Sequence, residues 1–118
     1  MTIGAISDVV TSALGVAMNG LQTRQQAISS NLANVETPGY LAREVKFEDS
    51  LRAAISGGDP TSTGIQVDQS LAATRINGNN VNIDFEVLAS SENVLRQRLV
   101  VQALNNKYSL LRTAITGQ

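Results

Sequence analysis

The sequence predicts a mainly α chain: long N- and C-terminal helices paired as a coiled coil, joined by a short irregular central segment with some β structure. Three observations carry this. Apolar residues near both ends recur at steps of three, four and seven, the spacing of one helix face. The middle holds short alternating stretches between clusters of glycine, proline and asparagine. Of 118 residues 42% are hydrophobic but only 3% aromatic, so the apolar content is largely alanine, valine and leucine. Such residues suit helix seams better than a thick core, and the length allows one domain at most.

Residues 1–40 read as an N-terminal helix with a marked end. Leu14, Ala17, Leu21, Ile28 and Val35 define one narrow face. The polar run Gln22-Thr23-Arg24-Gln25-Gln26 interrupts it, and Gly15 and Gly20 each weaken a helix by up to about 1 kcal/mol against alanine. This helix needs a packing partner.

Residues 41–81 form the central segment. Val45 and Phe47 alternate as in a short strand, and "FEDSLRAAI" reads as a short helix. "SGGDPTSTG", residues 56–64, reads as a flexible loop. Ile65 and Val67 alternate again, and "INGNN" carries the Asn-Gly signal of a tight turn.

Residues 82–118 read as the C-terminal helix. Val87, Val94, Val101, Leu104, Tyr108, Leu111 and Ile115 follow a heptad seam. Asn82 or Asp84 offers an N-cap, Glu86 suits the first turn of the helix dipole, and Gly117 offers a stop. Leu88, Leu95, Leu99, Val100 and Leu110 lie off that seam. Two helices bury one seam between them, so this second stripe calls for cover. The middle is short and polar, which points to other chains.

Composition excludes several functions. There is no histidine and no cysteine, so no Ser-His or Cys-His nucleophile, disulfide or thiolate metal site can form. The formal net charge is −1, with basic residues scattered singly, which gives no footing for nucleic acid. No apolar run reaches the roughly 18 residues needed to insert directly into a membrane. "VVTSALGVA" lacks the basic start of a cleaved signal. Glu44, Glu48 and Asp49 sit among Arg43, Lys46 and Arg52, as on a salt-bridged solvated face rather than in a hydrolase cleft.

"SSNLANVETPGY", residues 29–40, is the specific signal. Pro38 and Gly39 make Thr37-Pro38-Gly39-Tyr40 a natural type II turn. Asn31 and Asn34 can bond free carbonyls at the helix end or a neighbour's backbone. Tyr40 can pack over the helix terminus with its hydroxyl outward.

This stretch resembles the N-terminal signature of bacterial flagellar rod and hook proteins, matching it at Asn31, Ala33, Asn34, Thr37, Gly39 and Tyr40. The C-terminal third is similar to the proximal rod type, through Gly78, Asn79 and Val81 and the tail "KYSLLRTAI". The resemblance implies a structural subunit with no cofactor, exported unfolded by the flagellar type III pathway without a cleaved signal. It implies assembly in the periplasmic rod of the basal body with copies of itself, other rod proteins and an export-gate or basal adaptor. The expected assembly interface comprises the elbow Asn31, Asn34, Thr37, Pro38, Gly39 and Tyr40, with Leu14, Leu21, Ile28, Val94, Val101, Leu104, Tyr108, Leu111 and Ile115 on the two helices. The residues themselves also admit a soluble coiled-coil adaptor or export chaperone that binds a partner helix in its apolar stripe.

Overall fold

A computed structural model describes residues 3–117; residues 1, 2 and 118 of the two terminal segments lie outside it. The order is α1 (Ile3–Ala33), β1 (Arg43–Lys46), α2 (Glu48–Ser56), a 3₁₀ turn (Pro60–Ser62), β2 (Gln66–Gln69) and α3 (Ile83–Thr116). The molecule is a rod-like hairpin of 63 × 29 × 14 Å. Its radius of gyration is 18.1 Å, against about 13.5 Å for a compact chain of this length. Its accessible surface is 7751 Å², against roughly 6,200 Å² for a compact monomer of this mass. The single chain therefore leaves more surface uncovered than a closed globule does.

The two long helices run antiparallel. Thr11 meets Lys107 near one end, Gln25 meets Ser90 and Asn93 in the middle, and Asn31 meets Glu86 at the other end. On α1 the seam follows the predicted face. Leu21 and Ile28 are buried, and Leu14 is half-buried.

On α3 the predicted seam is displaced by one residue. The face toward α1 carries Glu86, Ser90, Asn93, Gln97, Val100, Leu104 and Lys107. Of the predicted seam only Leu104 is even half-buried; Val87, Val94, Val101, Tyr108, Leu111 and Ile115 are exposed. Each residue turns a helix by about 100°, so a one-residue shift puts a heptad row on the helix flank. The α1-facing side of α3 is polar for its first three turns and apolar only at Val100 and Leu104.

The core is small and lies where α1, the β1 segment and Val100 of α3 meet. Leu21, Ala27, Val45 and Phe47 are buried together, with Ala17, Leu51 and Val100 packed against them. Gly20 permits this: a Cβ there would lie 2.6 Å from the Phe47 ring. The helix-weakening glycine is thus the seat of the core's aromatic ring. Arg24 lies over the other part of that ring at 5.0 Å from its centroid, a cation–π distance.

The strands pair antiparallel with Val45 opposite Val67. The stretch read as a flexible loop is partly built. Asp59 caps the 3₁₀ turn by accepting from the Thr61 N–H, Pro60 is buried, and the Gly64 N–H donates to Ser50 Oγ. α3 begins at the Asn82 cap, whose Oδ1 accepts from the Phe85 N–H at 3.1 Å. It stops at Gly117, whose φ of 75° suits a left-handed cap.

Candidate functional site

The elbow after α1 is a closed polar knot. α1 ends at Ala33, and Thr37-Pro38-Gly39-Tyr40 then forms the expected turn: the Tyr40 N–H donates to the Thr37 carbonyl at 3.2 Å, and Gly39 has φ 76°. A side chain at Gly39 would be strained in that region. A second turn, Arg75 to Asn79, packs beside it. Its three-residue loop ends on Gly78 at φ 82°, and a Cβ on Gly78 would sit 3.2 Å from Gly39 Cα. The Gly39 N–H donates across to the Asn77 carbonyl at 2.9 Å.

Three asparagines lock the knot. Asn31 is 0% exposed and uses its whole amide. Nδ2 donates to the Arg43 carbonyl at 3.0 Å and to Glu86 Oε1 at 3.1 Å, while Oδ1 accepts from the Arg43 N–H at 2.8 Å and from the Tyr40 hydroxyl at 3.2 Å. Asn79, also fully buried, closes the helix end: Nδ2 donates to the Asn34 and Thr37 carbonyls at 2.8 and 2.9 Å. Both carbonyls lie just past the last turn of α1 and also accept from the backbone, from the Thr37 and Tyr40 N–H groups. Asn80 Oδ1 accepts from the Ala42 N–H, and its Nδ2 donates to the Ser70 and Ala72 carbonyls. Arg75 adds two more bonds, to the Val35 and Val81 carbonyls. Asn34 works locally, donating to the Ser30 carbonyl and accepting from the Thr37 hydroxyl.

The knot corrects two expectations. The Tyr40 hydroxyl points inward, to Ser30 and Asn31, rather than out to solvent. Asn31 is consumed inside its own chain, as are the buried Leu21 and Ile28, so none of the three presents its side chain to a neighbour. Thr37, Pro38 and Gly39 are exposed. Missed from sequence was the partner of the elbow: "INGNN" signalled a turn, but nothing local showed that Asn79 would cap a helix 45 residues earlier. A cluster of four asparagines in six residues was the available sign.

Glu86 is the unusual member. It is 3% exposed. Burial pushes its carboxyl above the ordinary 4.5; the Asn31 amide draws it back, and the Glu44 charge raises it further. The folded chain thus holds this proton more tightly than the unfolded chain does. The stability this gives is complete below about pH 4.5 and is lost as pH rises through the folded value. Glu86→Gln is expected to melt above the parent at pH 7 and to converge with it toward pH 4, as thermal melts across that range would show.

Glu48 and Asp49 take part in ion pairs, as their basic neighbours in sequence lead one to expect. Glu48 binds Arg24 through two contacts, one of them Nη2 to Oε2 at 2.8 Å, and also binds Arg96 at 3.1 Å. Arg24 holds its carboxyl down at about 2. Asp49 pairs with Arg52 on the surface. Among the described residues no group of histidine, cysteine or acids is placed to hold a metal ion.

The second feature is the outer surface of α3. Among the described residues, twelve of the eighteen exposed large apolar side chains lie on this helix. Leu88, Leu95 and Leu99 are 58–59% exposed, and Leu110 and Ile115 more so. Such a row marks an interaction surface.

The family model described as flagella basal body rod protein matches residues 13–40, which end on the elbow. The flagellar basal body rod protein FlgB of Bacillus subtilis (strain 168) is 30% identical over 86% of this chain and 88% of its own length. FlgB of Cereibacter sphaeroides is 31% identical over 89% of this chain and 94% of its own. FlgB of Escherichia coli (strain K12) is 29% identical over 77% and 81%. With relatives at 30% and 31% identity over most of its length, the chain belongs to the flagellar basal body rod protein family, as a FlgB-like structural subunit of the basal-body rod and not an enzyme.

Proposed function

We propose that this subunit polymerises in the proximal rod through the outer face of α3, packing against copies of itself and against other rod proteins. The observation that carries the reading is the placement of grease and amide on α3: amides and a carboxyl face α1 over its first half, followed by Val100 and Leu104, while most of its leucines and valines face out. A helix in a self-sufficient hairpin does the reverse. At about 25 cal/mol per Å² of apolar surface, leaving this row wet forfeits several kcal/mol, which is comparable with a domain's whole stability. Val94, Val101, Tyr108, Leu111 and Ile115 belong to this interface, reached from the flank of α3. Thr37, Pro38 and Gly39, exposed on a rigid elbow, offer a second contact.

The subunit reaches the periplasmic rod by flagellar type III export, and its basal neighbours are export-gate or adaptor proteins. Family resemblance supports this route. Among the described residues no helix is long and apolar enough to cross a membrane. Basal bodies purified from motile cells are expected to contain the chain, and cells with a disabled flagellar export apparatus to retain it in the cytoplasm. A chain found only in the cytoplasm of motile cells would contradict the proposal and favour an adaptor.

A further inference from the structure

We propose that Asn93 sets the register and rotation of α3 on α1, and so determines that the leucine row faces outward. The inference adds to the assembly reading above but concerns the hairpin alone, and it is tested on the isolated chain.

Two features of Asn93 separate it from an ordinary stabilising contact. It is 1% exposed, and its Nδ2 donates to the Leu21 carbonyl at 2.9 Å and to Gln25 Oε1 at 3.1 Å. Its Oδ1, equally buried, has no hydrogen-bond partner. A buried orphan acceptor works against stability. A leucine at this position would fill the same seam without that penalty. A polar residue kept at such a site serves to distinguish one helix pairing from others, as single buried asparagines do in coiled coils.

The alternative registers are visible in α1. Leu21 has Leu14 and Ile28 as its heptad neighbours, so an apolar residue on α3 could slide by seven and find an equivalent seat. Asn93 cannot. Seven residues either side of Gln25 stand Met18, whose thioether is only a weak acceptor, and Leu32, which has none in its side chain. Only the observed register gives Asn93 a glutamine. Gln25 completes the link by donating from Nε2 to Ser90 Oγ at 3.1 Å, and one turn further Asn31 donates to Glu86. The same contacts oppose rotation. Turning α3 to bury Leu88, Leu95 and Leu99 on α1 would pull Glu86, Ser90 and Asn93 off their partners together.

The chain has no cysteine, so a spin-label pair at exposed positions, Gln22→Cys on α1 and Arg98→Cys on α3, reports the register and rotation without background. With Asn93 in place, pulsed electron paramagnetic resonance is expected to give a single narrow distance. Asn93→Leu is expected to add a second population, in which α3 has turned on α1 toward burying Leu95 and Leu99 while the knot at residues 79–81 holds its start along the axis. Asn93→Ala, which removes the amide without adding bulk, is expected to add the same population. A broad distribution in the parent, or distributions in both variants that superimpose on the parent's, would overturn the proposal. A second population in Asn93→Leu alone would assign the effect to bulk and overturn it as well.

Discussion

Asn31→Leu is expected to lower the stability of the isolated chain by roughly 3–5 kcal/mol, at the top of the range for single substitutions. Three groups lose the bond Asn31 gives them, the Arg43 N–H, the Arg43 carbonyl and Glu86 Oε1, and the Tyr40 hydroxyl is left with Ser30 alone. Each buried polar group left unpaired costs about 1–3 kcal/mol, and partial relaxation keeps the total below the sum. Leucine keeps the branching of asparagine at Cγ but offers no donor or acceptor, so the loss is chiefly one of polar satisfaction. The melting temperature should fall by roughly 10–20 °C at this chain length. Asn34→Ala is the internal control. Its side chain makes two local contacts at the helix end, and its loss should cost about 1 kcal/mol, as for a helix cap. Circular dichroism melts of the two variants check this. Equal small shifts would contradict the assignment of Asn31 as the centre of the knot.

Leu95→Asp combined with Leu99→Asp is expected to abolish rod assembly and swimming while the isolated chain keeps its fold. Both side chains are 58% exposed, so in the single chain the change is limited to the poorer helix propensity of aspartate, about 1 kcal/mol or less per site. Covered by a neighbour, each carboxylate would be desolvated without a partner, at several kcal/mol per site in every copy. The difference between the two settings is what the experiment reads. Leu104→Asp does not serve, because Leu104 lies on the α1 side of the helix and its loss damages the hairpin itself. Variants that swim normally, with aspartate at both positions, would place the neighbours elsewhere.

Both helices and their ends were legible from residue spacing: α1 through Leu14, Leu21 and Ile28, and α3 through its valine and leucine heptads with Asn82 and Gly117 as boundaries. The turn at residues 37–40 followed from Pro38 and Gly39. The phase of α3 was not legible, for a physical reason. Apolar periodicity locates the stripe that must leave water, not the molecule that will cover it. If neighbours cover the greasiest row, as proposed above, the hairpin is left to hold itself largely with amides. Asn93, Gln25 and Ser90 carry no apolar signal and so were read past. The elbow's second half failed for a related reason. Asn79 and Asn80 act over 45 and 38 residues of sequence, on the Asn34 carbonyl and the Ala42 N–H, and no local pattern encodes such a partner. The loop at 56–64 had the composition of a linker, but Asp59 and Pro60 supply a cap and a buried ring that order it.

The most direct test of the central claim, that neighbouring subunits cover the outer row of α3, is thiol accessibility at one position on it. In a chain carrying Leu99→Cys, maleimide should react quickly with the isolated subunit and slowly or not at all with intact basal bodies. Equal reaction rates in the two settings would show that the row stays open to water in the rod, and assembly through the outer face of α3 would be refuted.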